Sequence, residues 1–403
     1  MTIVSKHMVK NNNSLIKVGV VGTGAMGRGI SFQVASHPEM ELTWAVDKCL
    51  DTSENAVKIA GQGVAGTNLL EALKNNPVDV LVEATNSIGD AAKYCIAAIE
   101  SKTHVVLMNA EVDLSLRPLL EKKAAEYGVC VTSDAGDQHG VLAVMIEEAI
   151  DMGFDIVQAG NVKGFLDRTA TPESIAGEAA KRNLSAEQCC AYTDGTKLHI
   201  EMAMLANAFG YLPPVGGMTG PLAGHVNEAL ELFDFESYGG TPRIDYLLGA
   251  EPGGGVYLVV KPIRELPEEQ AFYLSYYKLG TGPYYIMYRP YHLCHLETPK
   301  AIKLAYANRG LLPFTNRTSE VYAYAKRELK VGDKLSHVIG SAEVYGLVEP
   351  VQDNRVPIYL MESPGVMLKD LAPNTPITWD DIDLDSSLLL DLWKEQEEIF
   401  GNE

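Results

Sequence analysis

At 403 residues, 46% hydrophobic and 21% charged, the chain has the make-up of a soluble globular protein of two or three domains. Acidic residues number 53 against 33 basic ones, a net charge of −20, which argues against a nucleic-acid or anionic-membrane footprint. A small anionic substrate stays open, because local basic groups can overrule the global field.

Residues 1–14 are polar, with Asn11, Asn12 and Asn13, and lack the apolar core of a signal peptide. They read as a disordered tail, and no later apolar run is long enough to span a bilayer. Six cysteines (Cys49, Cys95, Cys130, Cys189, Cys190 and Cys294) form no C-x-x-C pair and sit mostly in apolar runs. Reduced thiols of a cytoplasmic protein are expected.

Ile16–Val21 is a short apolar run that predicts a strand buried on both faces. Gly22, Gly24 and Gly27 then form a G-x-G-x-x-G that turns the strand into a helix starting near Ala25. Gly22 allows the tight turn, Gly24 lets a pyrophosphate approach the backbone, and Gly27 lets helix and strand pack closely. A second strand, Glu41–Val46, ends at Asp47, whose carboxylate can accept the hydroxyls of an adenosine ribose. Asp47 disfavours a 2′-phosphate, but Lys48 beside it could hold one, so the expected cofactor is NAD(P)H with the choice open.

The alternation continues through a helix at Asn68–Asn75, a strand at Val78–Ala84 and a helix at Gly89–Glu100. Then come a strand at His104–Met108, a helix at Ser115–Tyr127, a strand at Val129–Thr132, a helix at Gly140–Met152 and a strand at Asp155–Ala159. Continuous apolar strands between helices predict an α/β, doubly wound parallel Rossmann sheet over 15–160. Ligands bind such sheets at the carboxyl ends of the strands. The predicted cofactor rim is Gly22, Thr23, Gly24, Ala25, Met26, Gly27, Asp47, Lys48, Ala84, Thr85, Asn86 and Asn109.

Asn161–Pro172 reads as a polar loop, opening a second, α+β substrate domain over 161–318. It contains a helix at Thr196–Phe209, a long ordered loop region over 211–255 and a strand at Val256–Lys261. Two strands are expected within Leu274–Arg289 around Gly280, then a helix at Thr298–Asn308. From Ser319 the texture is all-β and turn-rich, through Ala325–Leu335, Val356–Met361 and Ile377–Asp383. A C-terminal acidic helix spans Ser386–Phe400.

The phrases LKVGDKL and LAPNTPITWDDIDL resemble the two halves of a SAF domain, a small β-clip module, placed at 319–403. With VGTGAMGRG, DAGDQHG, AGNVKG, DGTKLHIEMAMLANAFG and GPYYIMYRPYHL, the chain from about Ile16 to Asp383 resembles a family. That family joins a homoserine-dehydrogenase-like NAD(P)-binding domain to a SAF domain and includes deoxyxylulose-phosphate-reductoisomerase-like enzymes. The resemblance implies an NAD(P)-dependent oxidoreductase or reductoisomerase acting on a small polyhydroxylated anionic compound, a sugar acid or sugar phosphate. It also implies a homodimer or homotetramer. Homoserine itself is not expected, because Asn109 is followed by Ala110-Glu111 where homoserine dehydrogenases carry a lysine. Two other readings are a non-catalytic NAD(H) sensor and a nucleotide-sugar-modifying enzyme with a tightly held nicotinamide.

Hydride transfer at a carbon bearing oxygen needs a proton handled at that oxygen and groups that stabilise an alkoxide. Lys163, in a glycine-flanked segment past a strand, is one candidate. Lys197 and Glu201, four apart on one helix face, are a second, with Glu201 tuning Lys197. Asp137, a candidate catalytic residue, and His139, a candidate substrate-binding one, lie in the loop after a strand end; with Asp134 they could ligate a divalent metal, but their spacing does not specify one and none is predicted. Arg168 and Arg289 are candidate anchors for an anionic substrate.

Overall fold

In the computed structural model, which describes residues 14–182 and 184–401, the N-terminal alternation closes into one six-stranded sheet. The tail expected over 1–14 lies, up to residue 13, outside the described residues. The elements are β1 (Ile16–Val21), α1 (Ala25–Ser36), β2 (Met40–Val46), α2 (Leu50–Ala60), β3 (Val64–Gly66), α3 (Leu69–Asn75), β4 (Val80–Glu83), α4 (Ile88–Glu100), β5 (His104–Leu107), α5 (Ala110–Tyr127) and β6 (Val131–Ser133). Every pairing is parallel, in the order β3-β2-β1-β4-β5-β6, as the alternation predicts. Val18, Val20, Val80, Val82, Val105 and Val106 are wholly buried, because helices cover both faces. The chain winds outward from β1 in both directions, so a crevice opens beyond the carboxyl ends of β1 and β4.

Some elements depart from the sequence pattern. No periodicity announces α2 or β3; α2 buries only Ser53 and Ala56, so its apolar face is weak. α5 begins five residues early, at Ala110, because the Asn109 side chain caps it by accepting from the Val112 N–H.

The second unit comprises α6 (Gln138–Asp151), β7 (Phe154–Lys163), α7 (Pro172–Arg182), α8 (Ala186–Thr193), α9 (Thr196–Phe209), α10 (Ala229–Leu232), β8 (Arg243–Leu248), β9 (Val256–Pro262), α11 (Glu268–Tyr276), β10 (Tyr285–Arg289) and α12 (Cys294–Tyr306). The strand expected to end at Ala159 runs to Lys163 and joins a separate mixed sheet, β10-β9-β7-β8. The boundary drawn at residue 160 therefore cuts a strand, and Asn161–Lys163 is not loop. The stretch 211–255, expected as loop, contains β8, paired in parallel with β7. Its aromatic residues Phe235 and Tyr238 cover one face of this sheet with Val162, Leu247, Tyr257 and Val259. The first of the two strands expected in Leu274–Arg289 is instead the end of α11 and its exit; only β10 is a strand.

The last unit is β-rich: β11 (Ser319–Ala325), β12 (Lys334–Leu335), β13 (Val344–Pro350), β14 (Gly365–Met367) and β15 (Ile382–Leu384), closed by α13 (Leu388–Phe400). β11 pairs with β13, and β14 lies between β12 and β15. The expected strand segment Val356–Met361 folds largely as a 3-10 turn, Ile358–Glu362. α13 packs back on α4 and α5.

α9 is the hub of the molecule. It is buried from Leu198 to Ala208 and touches α5, α6, α8, β8, β11 and β13. A helix apolar nearly all round belongs in an interior. Gly195 at φ +89° and Gly210 at φ +73° bound it, a left-handed conformation glycine adopts without a Cβ clash.

Candidate active site

The glycine elbow has the geometry of a dinucleotide seat. Gly22 sits at φ +83°, and a Cβ there would come within 2.5 Å of the Thr85 nitrogen. The β1 and β4 turns thus meet at the switch point. At Gly27 a Cβ would lie 1.9 Å from the Gly22 carbonyl oxygen, so only glycine lets α1 start this close. At Gly24 a Cβ would meet nothing within 4 Å: its α-carbon faces open space, and Gly24 and Ala25 are exposed. No side chain caps α1, and its first turn carries no acid. Unpaired N–H groups and the positive dipole end are left for an anion. Among the cofactor-rim residues, Met26 is half-buried beside them, while Thr23 is fully buried.

Asp47 braces this turn: Oδ2 accepts from the Thr23 N–H at 2.7 Å and Oδ1 from the Cys49 N–H at 3.1 Å. Lys48 and Asn86 are exposed, and Ala84 and Thr85 are half-buried at the rim. The Asn109 amide donates to the Thr85 carbonyl at 3.2 Å, so its side chain holds the rim together. Beneath lies a residue that sequence reasoning missed, Glu83. It is fully buried; Oε1 accepts from the Thr85 N–H at 2.9 Å, and Oε2 has no partner. Burial pushes its carboxyl up to about 8.

Beyond the elbow, β6, β7, α9 and α12 converge on a cleft. Lys163, at the end of β7, donates to the Gln138 Oε1 at 2.9 Å. Burial lowers its ammonium below the usual lysine range, against the pull of Glu201 and Asp137. His139 Nδ1 lies 4.0 Å from Glu201 Oε2, both side chains being buried. Burial works against the imidazolium, but Glu201 and Asp137 outweigh it and raise His139. Burial likewise works against the Glu201 carboxylate, yet His139 and Lys163 hold it down at about 2. Asp137 is raised by burial and by Glu201, and it accepts from the Cys294 thiol at 2.8 Å.

The expected Lys197–Glu201 pair does not form. Lys197 is ion-paired with Glu111 of α5; burial opposes its charge, Glu111 more than offsets that, and the ammonium is raised. Glu201, one turn on, faces His139 and Lys163 instead. No motif singles out Gln138 or Tyr192; Tyr192 is exposed, yet its phenol feels the charges of Lys197, Asp137 and Glu201. Glu111 is also missed by motif and spacing. It stands at Asn109-Ala110-Glu111, where the chain departs from the homoserine-dehydrogenase pattern, and that departure is the one signal that could have flagged it.

Arg289 is not free to anchor a substrate, because its fork is held bidentately by Glu297 at 2.8 Å on both arms. Arg168 is exposed, and its guanidinium lies close enough to Tyr246 to act on its phenol. Among the described residues, no three His, Cys, Asp or Glu side chains converge as a metal-ligating group, so Asp134, Asp137 and His139 do not form a metal trio. Asp134 instead accepts from the Gly136 N–H at 2.7 Å.

Two sequence families match the chain. "Dihydrodipicolinate reductase, N-terminus" matches residues 16–134, and "Oxidoreductase DRL, catalytic domain" matches residues 136–298. The first spans the elbow and rim, the second the cleft lysines, Glu201 and Cys294. The chain is an oxidoreductase with an NAD(P)-binding Rossmann domain. No curated protein shows significant sequence similarity to this oxidoreductase. Among solved structures it is similar to a probable dehydrogenase from Thermotoga maritima, at 15% identity over 75% of this chain and 91% of that one, TM-score 0.46. It is also similar to apo scyllo-inositol dehydrogenase from Lactobacillus casei, at 13% identity over 74% and 90%, TM-score 0.42. A third is GenD2 from gentamicin A biosynthesis in complex with NAD, at 18% identity over 63% and 70%, TM-score 0.37.

Proposed function

We propose that the oxidoreductase transfers hydride between NAD(P)H and a small polyhydroxylated, anionic substrate held over the Lys163–Glu201 cleft. The observation that carries this reading is the juxtaposition of an uncapped α1 N-terminus at an open Gly24 with a cleft holding a pKa-lowered lysine. The residues fit the cofactor: Gly22, Gly24 and the first turn of α1 would hold the diphosphate, and Asp47 the adenosine ribose. The bound nicotinamide supplies or accepts the hydride.

Lys163 takes the substrate hydroxyl proton on oxidation and returns it on reduction. A lysine whose ammonium burial has made more acidic suits both directions. Gln138 fixes its nitrogen by accepting a hydrogen bond from it. Lys197, kept cationic by Glu111, stabilises developing negative charge on the substrate oxygen or carboxylate. Glu201 favours the imidazolium form of His139 against burial. A skeletal rearrangement, as in the reductoisomerases the sequence resembles, would call on the same proton-handling groups. The cytoplasm is the compartment that fits free thiols at all six cysteines. A homodimer or homotetramer is supported by the outward aromatic face of α11, where Phe272, Tyr273, Tyr276 and Tyr277 are exposed.

The test is binding followed by turnover. NADH or NADPH should raise the melting temperature of the purified protein. A panel of hydroxylated acids should then show a nicotinamide absorbance change that Lys163→Ala lowers about 10²- to 10⁴-fold. No shift with either nucleotide refutes the reading. Nucleotide binding without turnover on any hydroxylated acid would favour the non-catalytic sensor.

A further inference from the structure

A cavity of about 360 Å³ lies between the N-terminal turns of α4 and the C-terminal β unit. It is not part of the cleft described above. One wall is Asp90 and Lys93 of α4; the other is His337, Glu362, Ser363 and Ser387. Ile88, Leu388 and Leu389 add apolar surface to the lining.

The walls are unusual in two ways. His337 stands in the left-handed region at φ +50°, rare for a residue with a Cβ. Its ring is 80% exposed at the mouth, with Nδ1 3.0 Å from Glu362 Oε2. Such backbone strain concentrates at ligand clamps. Second, nitrogen and carboxylate groups stand side by side in the walls: Lys93 and His337 with Asp90 and Glu362. Lys93 is an exposed residue of the α4 wall, with its ammonium among the lining groups. Ser363 and Ser387 lie hydroxyl to hydroxyl at 2.7 Å.

A phosphate or dinucleotide would meet two carboxylates here. Donors and acceptors beside apolar lining suit carbon-bound hydroxyl groups, each of which donates and accepts. α5 links the cavity to the cleft. The 3-10 turn carrying Glu362 packs on α4 and α5, and Glu362 feels the charge of Glu111, the partner of Lys197. The β4–α4 turn, Thr85–Ser87, serves both the cofactor rim and this cavity, since Ser87 lines it.

We propose that this cavity is a substrate subsite built by the C-terminal unit, which takes the distal hydroxyl-bearing portion of the substrate while the reacting carbon sits at Lys163. Resting on the hydride-transfer reading, it assigns the C-terminal unit a specificity role, with His337 and Lys93 as binding residues. The substrate class is a chain or ring of several adjacent hydroxyls that is long enough to span both places.

The experiment uses full-length protein, with and without NADH, and three probes: ribitol, D-ribonate and inorganic phosphate. Ligand-observed NMR gives their affinities for the wild type, Lys93→Ala and His337→Gly. Glycine accepts φ +50°, so His337→Gly keeps the fold. Saturable binding of ribitol and ribonate but not phosphate is expected. Each substitution should weaken it about tenfold, the share of one hydrogen bond to a charged group. NADH affinity should stay unchanged in both variants. Polyol binding that ignores both substitutions, no polyol binding, or phosphate binding alone overturns the proposal. So does a parallel loss of NADH affinity, which would make the cavity part of the cofactor seat. A wild type that binds ribitol but no NADH would refute the hydride-transfer reading and leave the subsite standing.

Discussion

Glu83→Gln tests the cofactor rim through its buried support. Glu83 is wholly buried under the β4–α4 turn, with one oxygen on the Thr85 N–H and the other unpartnered. Its carboxyl is raised from 4.5 to about 8, first by burial. A raised acid binds its proton more tightly folded than unfolded. Its contribution is therefore full below pH 4.5 and is lost as pH rises toward 8. Across that window each step of one in pH is worth about 1.4 kcal/mol, so the wild type should lose roughly 3 kcal/mol between about pH 5 and 7.5 from this group alone. Gln cannot ionise, and its amide oxygen can still accept from Thr85. The variant should lack that slope and become more stable than the wild type at neutral and alkaline pH. Urea unfolding at the two pH values, read as the difference between the two proteins, measures it. If that difference changes by less than about 0.5 kcal/mol, the charge is not confined as described, and water reaches Glu83.

The other predictions concern the elbow, the cleft and the packing of the C-terminal unit. Gly24→Ala should leave the melting temperature within about 1 °C while weakening NADH binding at least about tenfold, because its Cβ would fill only the open cradle. Gly27→Ala should fail to fold normally, since its Cβ would land on the Gly22 carbonyl. Equal effects at the two positions would contradict the assigned roles. Glu201→Gln should lower the His139 pKa, since Glu201 is the main group raising it against burial. NMR titration of the imidazole should show the protonated form lost at lower pH than in the wild type. Lys326→Met should cost about 3–5 kcal/mol by leaving Asp194 buried and unpaired. The pair is 2.8 Å apart and almost fully buried, and Lys326 also reaches the Ala170 and Ser341 carbonyls across the α8–β11 junction. Chemical denaturation decides, and Lys326→Met with Asp194→Asn should recover part of the loss.

What the sequence by itself determined is local. Short apolar strands, a glycine elbow and an acid at the tip of the second strand are encoded within about thirty consecutive residues. Periodicity and turn chemistry report such patterns directly. That is why the parallel sheet, α1, β2 and α9 lie where the residues predict them. The tertiary structure decided which charges meet. Lys197 stands one turn from Glu201, and spacing alone pairs them, but a helix from another domain brings Glu111 to the lysine and leaves Glu201 to His139. Arg289 looks free in the sequence until Glu297 closes on its fork. β7 outruns its expected end because Asn161, though polar, pairs with both β8 and β9, and Val162 and Lys163 continue the pairing with β8. The stretch 211–255 hides β8 because its glycines and prolines read as turns, whereas pairing along the edge of β7 is what makes part of it a strand. Ionic partners and sheet neighbours are contacts between segments far apart in the chain, and no local pattern carries them.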